Sequence, residues 1–244
     1  MTYRLGFLIP VLPEKKSAYR ELAVATAPFF MEYGAQRIVE CWGENVPRGE
    51  LTDMFRGVNA EGEENVVFAW IDWASEAACN QAHDAMSRDE RMQVPTEMPF
   101  DGRRMVFAGF ETLGESGPGG RSGYVQGYVA PVPKDNREAF AGMCATMREV
   151  AIDCGALRAA DCWGETIADG KVTDFKRAVK ALAGEAVAFG FVEWSSKAAF
   201  EQGSQKMRDH SRMPALGASM PLDGKRLIHG GFEILMDTNQ EARR

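Results

Sequence analysis

The sequence predicts an α+β fold: two ferredoxin-like βαββαβ domains in tandem, their sheets packed face to face as an intramolecular α+β-barrel pseudo-dimer. Three observations predict it: an internal repeat, the element order within each copy, and strands that are apolar on both faces. Cys41-Trp42-Gly43-Glu44 recurs as Cys162-Trp163-Gly164-Glu165, a shift of 121 residues, and self-similarity at a fixed spacing marks a repeated structural unit. The same shift superimposes Tyr3 on Tyr124, Gly34-Ala35 on Gly155-Ala156, Thr52-Asp53 on Thr173-Asp174 and Trp73 on Trp194. After a one-residue slip, Met98-Pro99-Phe100-Asp101-Gly102 matches Met220-Pro221-Leu222-Asp223-Gly224. Between the copies lies a glycine-rich stretch that reads as a linker. The expected domains are residues 1–114 and 123–237, with a linker at 115–122 and a short charged tail at 238–244.

Within the first copy, Tyr3–Val11 is expected as a strand of aromatic and branched residues. Residues 14–33 then predict a helix, because Tyr19, Leu22, Ala23, Thr26, Phe30 and Tyr33 recur on one face. Gly34 and Gly155 stand where a helix C-terminal glycine belongs. A strand through Ala35–Glu44 follows, then a polar connection, then a β-rich strand at Val66–Trp73. Ser75 and Ser196 are candidate N-caps of a second helix running to about residues 88 and 209. A Pro-x-Asp-Gly turn leads into the last strand, Arg103–Leu113 or Lys225–Leu235. The order β-α-β-β-α-β is the ferredoxin-like split motif.

The strands alternate apolar with apolar. Val66, Phe68 and Trp70 point one way while Val67, Ala69 and Ile71 point the other. Two helices cover one face only, and an uncovered apolar sheet exceeds what a soluble monomer tolerates. The partner nearest at hand is the other copy, tethered at high effective concentration.

Composition narrows the function. A net charge of −7 and a pI near 5.2 argue against nucleic acid as a partner. No stretch approaches a membrane span, and the first residues lack a signal-peptide pattern, so a cytoplasmic protein is expected. The five cysteines are scattered without a CxxC pair, and the three histidines lack ligand spacing. Neither a metal site nor a cofactor is therefore expected.

The motifs together resemble the YbaA-like family of unknown function (DUF1428). They are the Pro-Val of the opening strand, Cys-Trp-Gly-Glu, Thr173-Asp174-Phe175-Lys176-Arg177-Ala178-Val179-Lys180-Ala181, Met98-Pro99-Phe100-Asp101-Gly102-Arg103-Arg104-Met105 and a closing Gly230-Gly231-Phe232-Glu233. The resemblance covers nearly all of both copies and implies the dimeric α+β-barrel fold. The duplication departs from the usual single copy. Met54-Phe55-Arg56-Gly57 departs further from the motif than Phe175-Lys176-Arg177-Ala178, which favours the second copy wherever one site alone is kept.

Several residues are candidates for chemistry. A Cys41 or Cys162 thiolate needs a neighbouring cation, and Arg37 and Arg158 lie four residues upstream on the same strand face; a packed cysteine is the plain alternative. Asp72 and Glu193 adjoin Trp73 and Trp194 at a strand end, where burial would raise a carboxyl toward general-base range. They are the weak catalytic candidates, against a solvated strand end. Arg37, Arg56, Arg158 and Arg177, with Trp42, Trp73, Trp163 and Trp194, are candidates for gripping an anionic or aromatic ligand. Ion pairing of the arginines with nearby acids is the plain alternative. The expected function is binding of a small molecule between sheet and helices. A cofactor-independent enzyme of oxygenase or isomerase type, using a strand-end carboxylate, and a protein-interaction scaffold are the alternatives. Oligomerisation beyond the pseudo-dimer stays open.

Overall fold

The structure, a computed structural model, describes residues 2–92, 97–213 and 219–241. The last residues of the expected tail, 242–244, lie outside them. In the first copy the elements are β1 (Tyr3–Val11), α1 (Lys16–Glu32), β2 (Arg37–Asn45), α2 (Met54–Gly57), β3 (Asn65–Trp73), α3 (Glu76–Met86) and β4 (Val106–Ser116). The second copy repeats them as β5 (Tyr124–Pro133), α4 (Arg137–Asp153), β6 (Arg158–Gly164), α5 (Phe175–Ala178), β7 (Glu185–Trp194), α6 (Lys197–Arg208) and β8 (Ile228–Asp237). A short α7 (Thr238–Glu241) follows.

Each copy builds an antiparallel sheet in the ferredoxin-like order, β4-β1-β3-β2 and β8-β5-β7-β6. The sheets do more than face each other. β2 pairs with β8 and β4 with β6, so the described strands close one eight-stranded barrel in the order β1-β3-β2-β8-β5-β7-β6-β4. Closure removes the free edges that each half alone would expose. It also explains why β4 runs to Ser116, into the expected linker. Glu115 and Ser116 pair with Ala160 and Ala159 of the other copy. Beyond them the linker is tied to the barrel by Gly119 N–H, which donates to the Leu157 carbonyl at 2.9 Å.

The two-faced strands sort as alternation requires. Val66, Phe68 and Trp70 face the barrel interior, whereas Val67, Ala69 and Ile71 pack toward the helices. Inside, pseudo-equivalent aromatics meet across the two-fold: Phe68 stacks on Phe189 at 4.7 Å and Trp70 on Phe191 at 4.0 Å. Each phenylalanine ring lies against a glycine of the other copy. A Cβ on Gly6 would come 2.9 Å from Phe189, and one on Gly127 would come 2.8 Å from Phe68. These reciprocal contacts make the interior a shared core rather than two docked surfaces.

Local signals hold where they have a mechanism. Ser75 and Ser196 accept from Ala78 N–H at 3.1 Å and Ala199 N–H at 3.2 Å, capping α3 and α6. Gly34 and Gly155 adopt φ of 100° and 104° after the long helices. The last strands start later than expected, at Val106 and Ile228. Arg104 is spent holding the preceding turn, donating to Asp101, the Asn59 carbonyl and Glu64. Arg226 does the same with Asp223, Lys180 and Glu185.

The polar connection hides a feature the periodicity does not show. Asp53 and Asp174 cap the short helices α2 and α5, accepting from Arg56 N–H at 2.9 Å and Arg177 N–H at 2.8 Å. The two helices meet over one end of the barrel. Thr52 donates to the Ala178 carbonyl at 2.7 Å and Thr173 to the Gly57 carbonyl at 2.6 Å. Met54, Val58, Phe175 and Val179 plug the interior beneath them.

Candidate functional site

Two hollows lie where helices cross the outer sheet face, one in each half. The first, of about 500 Å³, is lined among others by Phe7, Tyr19, Leu22, Phe30, Glu40 and Phe100. The second, of about 560 Å³, is lined among others by Tyr128, Met143, Met147, Asp161, Met207 and Met220. Both are mostly apolar, and each holds an acid on its floor. The size and character are those of small-molecule sites, and the methionines make the second wall adaptable.

Glu40 on β2 and Asp161 on β6 are equivalent positions under the 121-residue shift. In each half a tyrosine hydroxyl donates to the acid, from different places. Tyr19 on α1 reaches Glu40 at 2.7 Å, while Tyr128 on β5 reaches Asp161 at 2.5 Å. The repeat puts Phe140 at the position of Tyr19 and Phe7 at that of Tyr128. The phenol thus stands on the helix in one half and on the strand in the other, bonded to equivalent acids. Burial beside a carboxylate raises both phenols well above the usual 10, so both remain proton donors.

The acids differ in charge balance. Asp161 accepts a second bond, from Arg148 on α4 at 2.5 Å. The residue equivalent to Arg148 is Ala27 on α1, and it lines the first hollow. Glu40 has no cation bonded to it among the described residues. Burial pushes its carboxyl up to about 7, with the Tyr19 bond pulling weakly the other way.

The sequence candidates lie elsewhere. Arg37, Arg158, Asp72 and Glu193 come together at the barrel end opposite α2 and α5, across the seam between copies. Arg37 grips Glu193 through two bonds at 2.8 and 2.9 Å and also holds Asp237. Arg158 reaches Asp72 at 3.2 Å, Glu193 at 3.3 Å and Glu115. Arg4, fully buried, adds bonds to Asp72, Thr112, Glu115 and the Cys162 sulfur. The glycine-rich linker roofs a polar cavity of about 670 Å³ over this network. Three arginines meet four carboxylates, Asp72, Glu115, Glu193 and Asp237, so each guanidinium is already committed. Burial pushes the Cys41 thiol well above its ordinary range and the Cys162 thiol up to about 11. Both sit in the packed interior.

The remaining candidates are dispersed. Arg56 and Arg177 are half-exposed and bond to the Gly49 and Gly170 carbonyls beside Asp53 and Asp174. Trp42 and Trp163 pack beneath the helices, with Lys16 and Arg137 over their rings. Trp73 and Trp194 are buried in the helix-facing core. None of the eight arginine and tryptophan candidates lines either hollow.

Sequence reasoning missed Glu40, Asp161, Tyr128 and Arg148. A signal existed: in both copies one acid interrupts an otherwise apolar strand, Ile38-Val39-Glu40-Cys41 and Ala159-Ala160-Asp161-Cys162, on the face opposite the cysteine. The tyrosine exchange hid the partner, because no single aligned position keeps it.

The model of the family described as "Protein of unknown function (DUF1428)" matches residues 2–102 and 123–224. "Uncharacterized protein YbaA" of Escherichia coli K12 is 48 % identical over 114 residues, covering 46 % of this chain and 97 % of the relative. The protein of the same name from Shigella flexneri matches equally. Both therefore correspond to a single copy. Among solved structures, that of an anthrone oxidase-like protein superimposes with a TM-score of 0.51 at 12 % identity, over 97 % of this chain and 92 % of that one. That likeness shows the dimeric α+β-barrel fold alone. The chain belongs to the DUF1428 family, with two of its domains closing a single barrel.

Proposed function

We propose that the protein binds small, largely apolar molecules of aromatic character in the two sheet–helix hollows. The observation that carries this reading is the pair of hollows itself: each is apolar, of ligand size, and holds one hydrogen-bonding acid with its tyrosine. The arginines at the seam support the anionic alternative poorly, since their donors already face carboxylates. Hollows of ligand size also weigh against a pure scaffold.

A fluorescence titration with 2-naphthol tests the reading. Saturable binding is expected at two sites. Ala23→Phe should block the first and Cys144→Phe the second, because these equivalent residues lie against the hollows. Absence of saturable binding by the folded protein overturns it.

A second reading, proton transfer by Glu40, is favoured by its carboxyl lying near 7 inside an apolar hollow. Deuterium uptake from heavy water into a bound carbon acid, lost in Glu40→Gln, would support it. Equal uptake in that variant would remove it.

A further inference from the structure

We propose that the first hollow admits ligands bearing a positively charged nitrogen on an apolar body as well as neutral ones, whereas the second takes neutral ones alone. The inference rests on the hollows being binding sites and adds the charge of the ligand.

The second half supplies the reasoning. There the acid on the sheet is balanced from inside the protein: Tyr128 and Arg148 both donate to Asp161, from strand and helix. In the first half the phenol is present, but the helix offers Ala27 where the guanidinium would stand. Tyr19 engages one oxygen of Glu40, and the other has no hydrogen-bond partner among the described residues. Neighbouring charges are committed elsewhere. Arg91, which lines the first hollow, bonds to Asp89 and Glu32. Lys16 pairs with Glu233. Cys41, next along β2, points into the barrel.

A carboxylate on an apolar floor with one neutral donor is a strained arrangement unless something cationic arrives. An ammonium group supplies what Arg148 supplies in the other half: a charge and two or three N–H donors. The walls formed by Phe7, Phe30 and Phe100 would take its apolar body, and aromatic rings favour a neighbouring cation. In the second hollow such a ligand would meet a guanidinium already bonded to the acid, and like charges would repel.

Isothermal titration with 2-(1-naphthyl)ethylamine, and with 2-(1-naphthyl)ethanol as its neutral isostere, tests this. The wild-type protein should bind one equivalent of the amine and two of the alcohol. Glu40→Gln should weaken the amine at least tenfold and the alcohol by a clearly smaller factor. Ala27→Arg should also abolish amine binding, by placing the missing guanidinium opposite Glu40. Arg148→Ala should raise the amine stoichiometry from one to two, by uncovering Asp161. The near-isosteric Glu40→Gln keeps the test decisive if either helix variant fails to fold. Alcohol binding with no effect of Glu40→Gln on the amine overturns the charge inference alone. Failure of both probes to bind the wild-type protein overturns the binding reading and this inference with it.

Discussion

The two halves share a fold, a tyrosine–acid pair and a hollow, yet they balance charge differently. The second half is self-sufficient: Asp161 is held by Tyr128 and Arg148. In the first half Tyr19 is the one hydrogen-bond partner of Glu40 among the described residues. The seam is asymmetric in the opposite sense, since Arg4 of the first copy is matched by Val125 in the second. Duplication within one chain frees each copy from serving both sides of a two-fold. A single-copy homodimer must place the same residue at both equivalent positions, whereas here one half carries an arginine where the other does without.

The largest expected effect breaks the seam asymmetry. Arg4→Ala should lower stability by about 3–5 kcal/mol, because it leaves Asp72 short of its main buried partner. Chemical denaturation measures it, and a loss below about 1 kcal/mol would show that Arg158 suffices.

Next comes the hollow of the second half. Arg148→Ala should cost roughly 2–3 kcal/mol, since Asp161 keeps Tyr128 but loses its cation. The opposite sign is expected in the first half. Glu40 has a folded-state carboxyl raised to about 7, above the ordinary 4.5. The folded protein therefore holds this proton more tightly than the unfolded chain. Stability falls as pH rises from about 4.5 to about 7 and is level beyond that window. Glu40→Gln should remove this contribution, adding on the order of 2 kcal/mol at pH 8 and little at pH 4. Melting curves of both proteins across that range check it; a gain that is equal at both pH values would point to packing instead.

The smallest effect should be the same in both halves. Arg56→Ala and Arg177→Ala remove half-exposed pairs of matching geometry with Asp53 and Asp174, at 3.5 and 3.3 Å. Each should cost less than about 1 kcal/mol. A large difference between them would mean that the short helices capping the barrel are not equivalent.

Much of the fold was legible because its signals repeat. The tetrapeptide Cys-Trp-Gly-Glu set the shift, Ser75 and Ser196 marked helix starts, and the double-faced strand at residues 66–73 required a second sheet. Edge-to-edge closure through β2–β8 and β4–β6 was not legible, because hydrogen-bond partners between strands leave no periodicity in a sequence. The short helices α2 and α5 are too brief for an apolar stripe, and only the Asp53 and Asp174 caps announce them. At the site, charged residues beside tryptophans drew attention to a network whose partners are distant in sequence. Arg37 lies 156 residues from Glu193, a separation that one-dimensional reading cannot bridge. The acids of the hollows were visible as interruptions of apolar strands, but their meaning depends on Ala27 and Arg148, which only the docked helix brings opposite them.

The most direct test of the central claim, that the first half leaves its acid unbalanced, is the titration of the Glu40 side-chain carboxyl. It can be followed by carbon-13 chemical shift in the intact protein, assigned by comparison with Glu40→Gln. The structure predicts a midpoint near 7. A midpoint near the ordinary 4.5 would contradict the account, because Glu40 would then be solvated or balanced and the two hollows would not differ in charge.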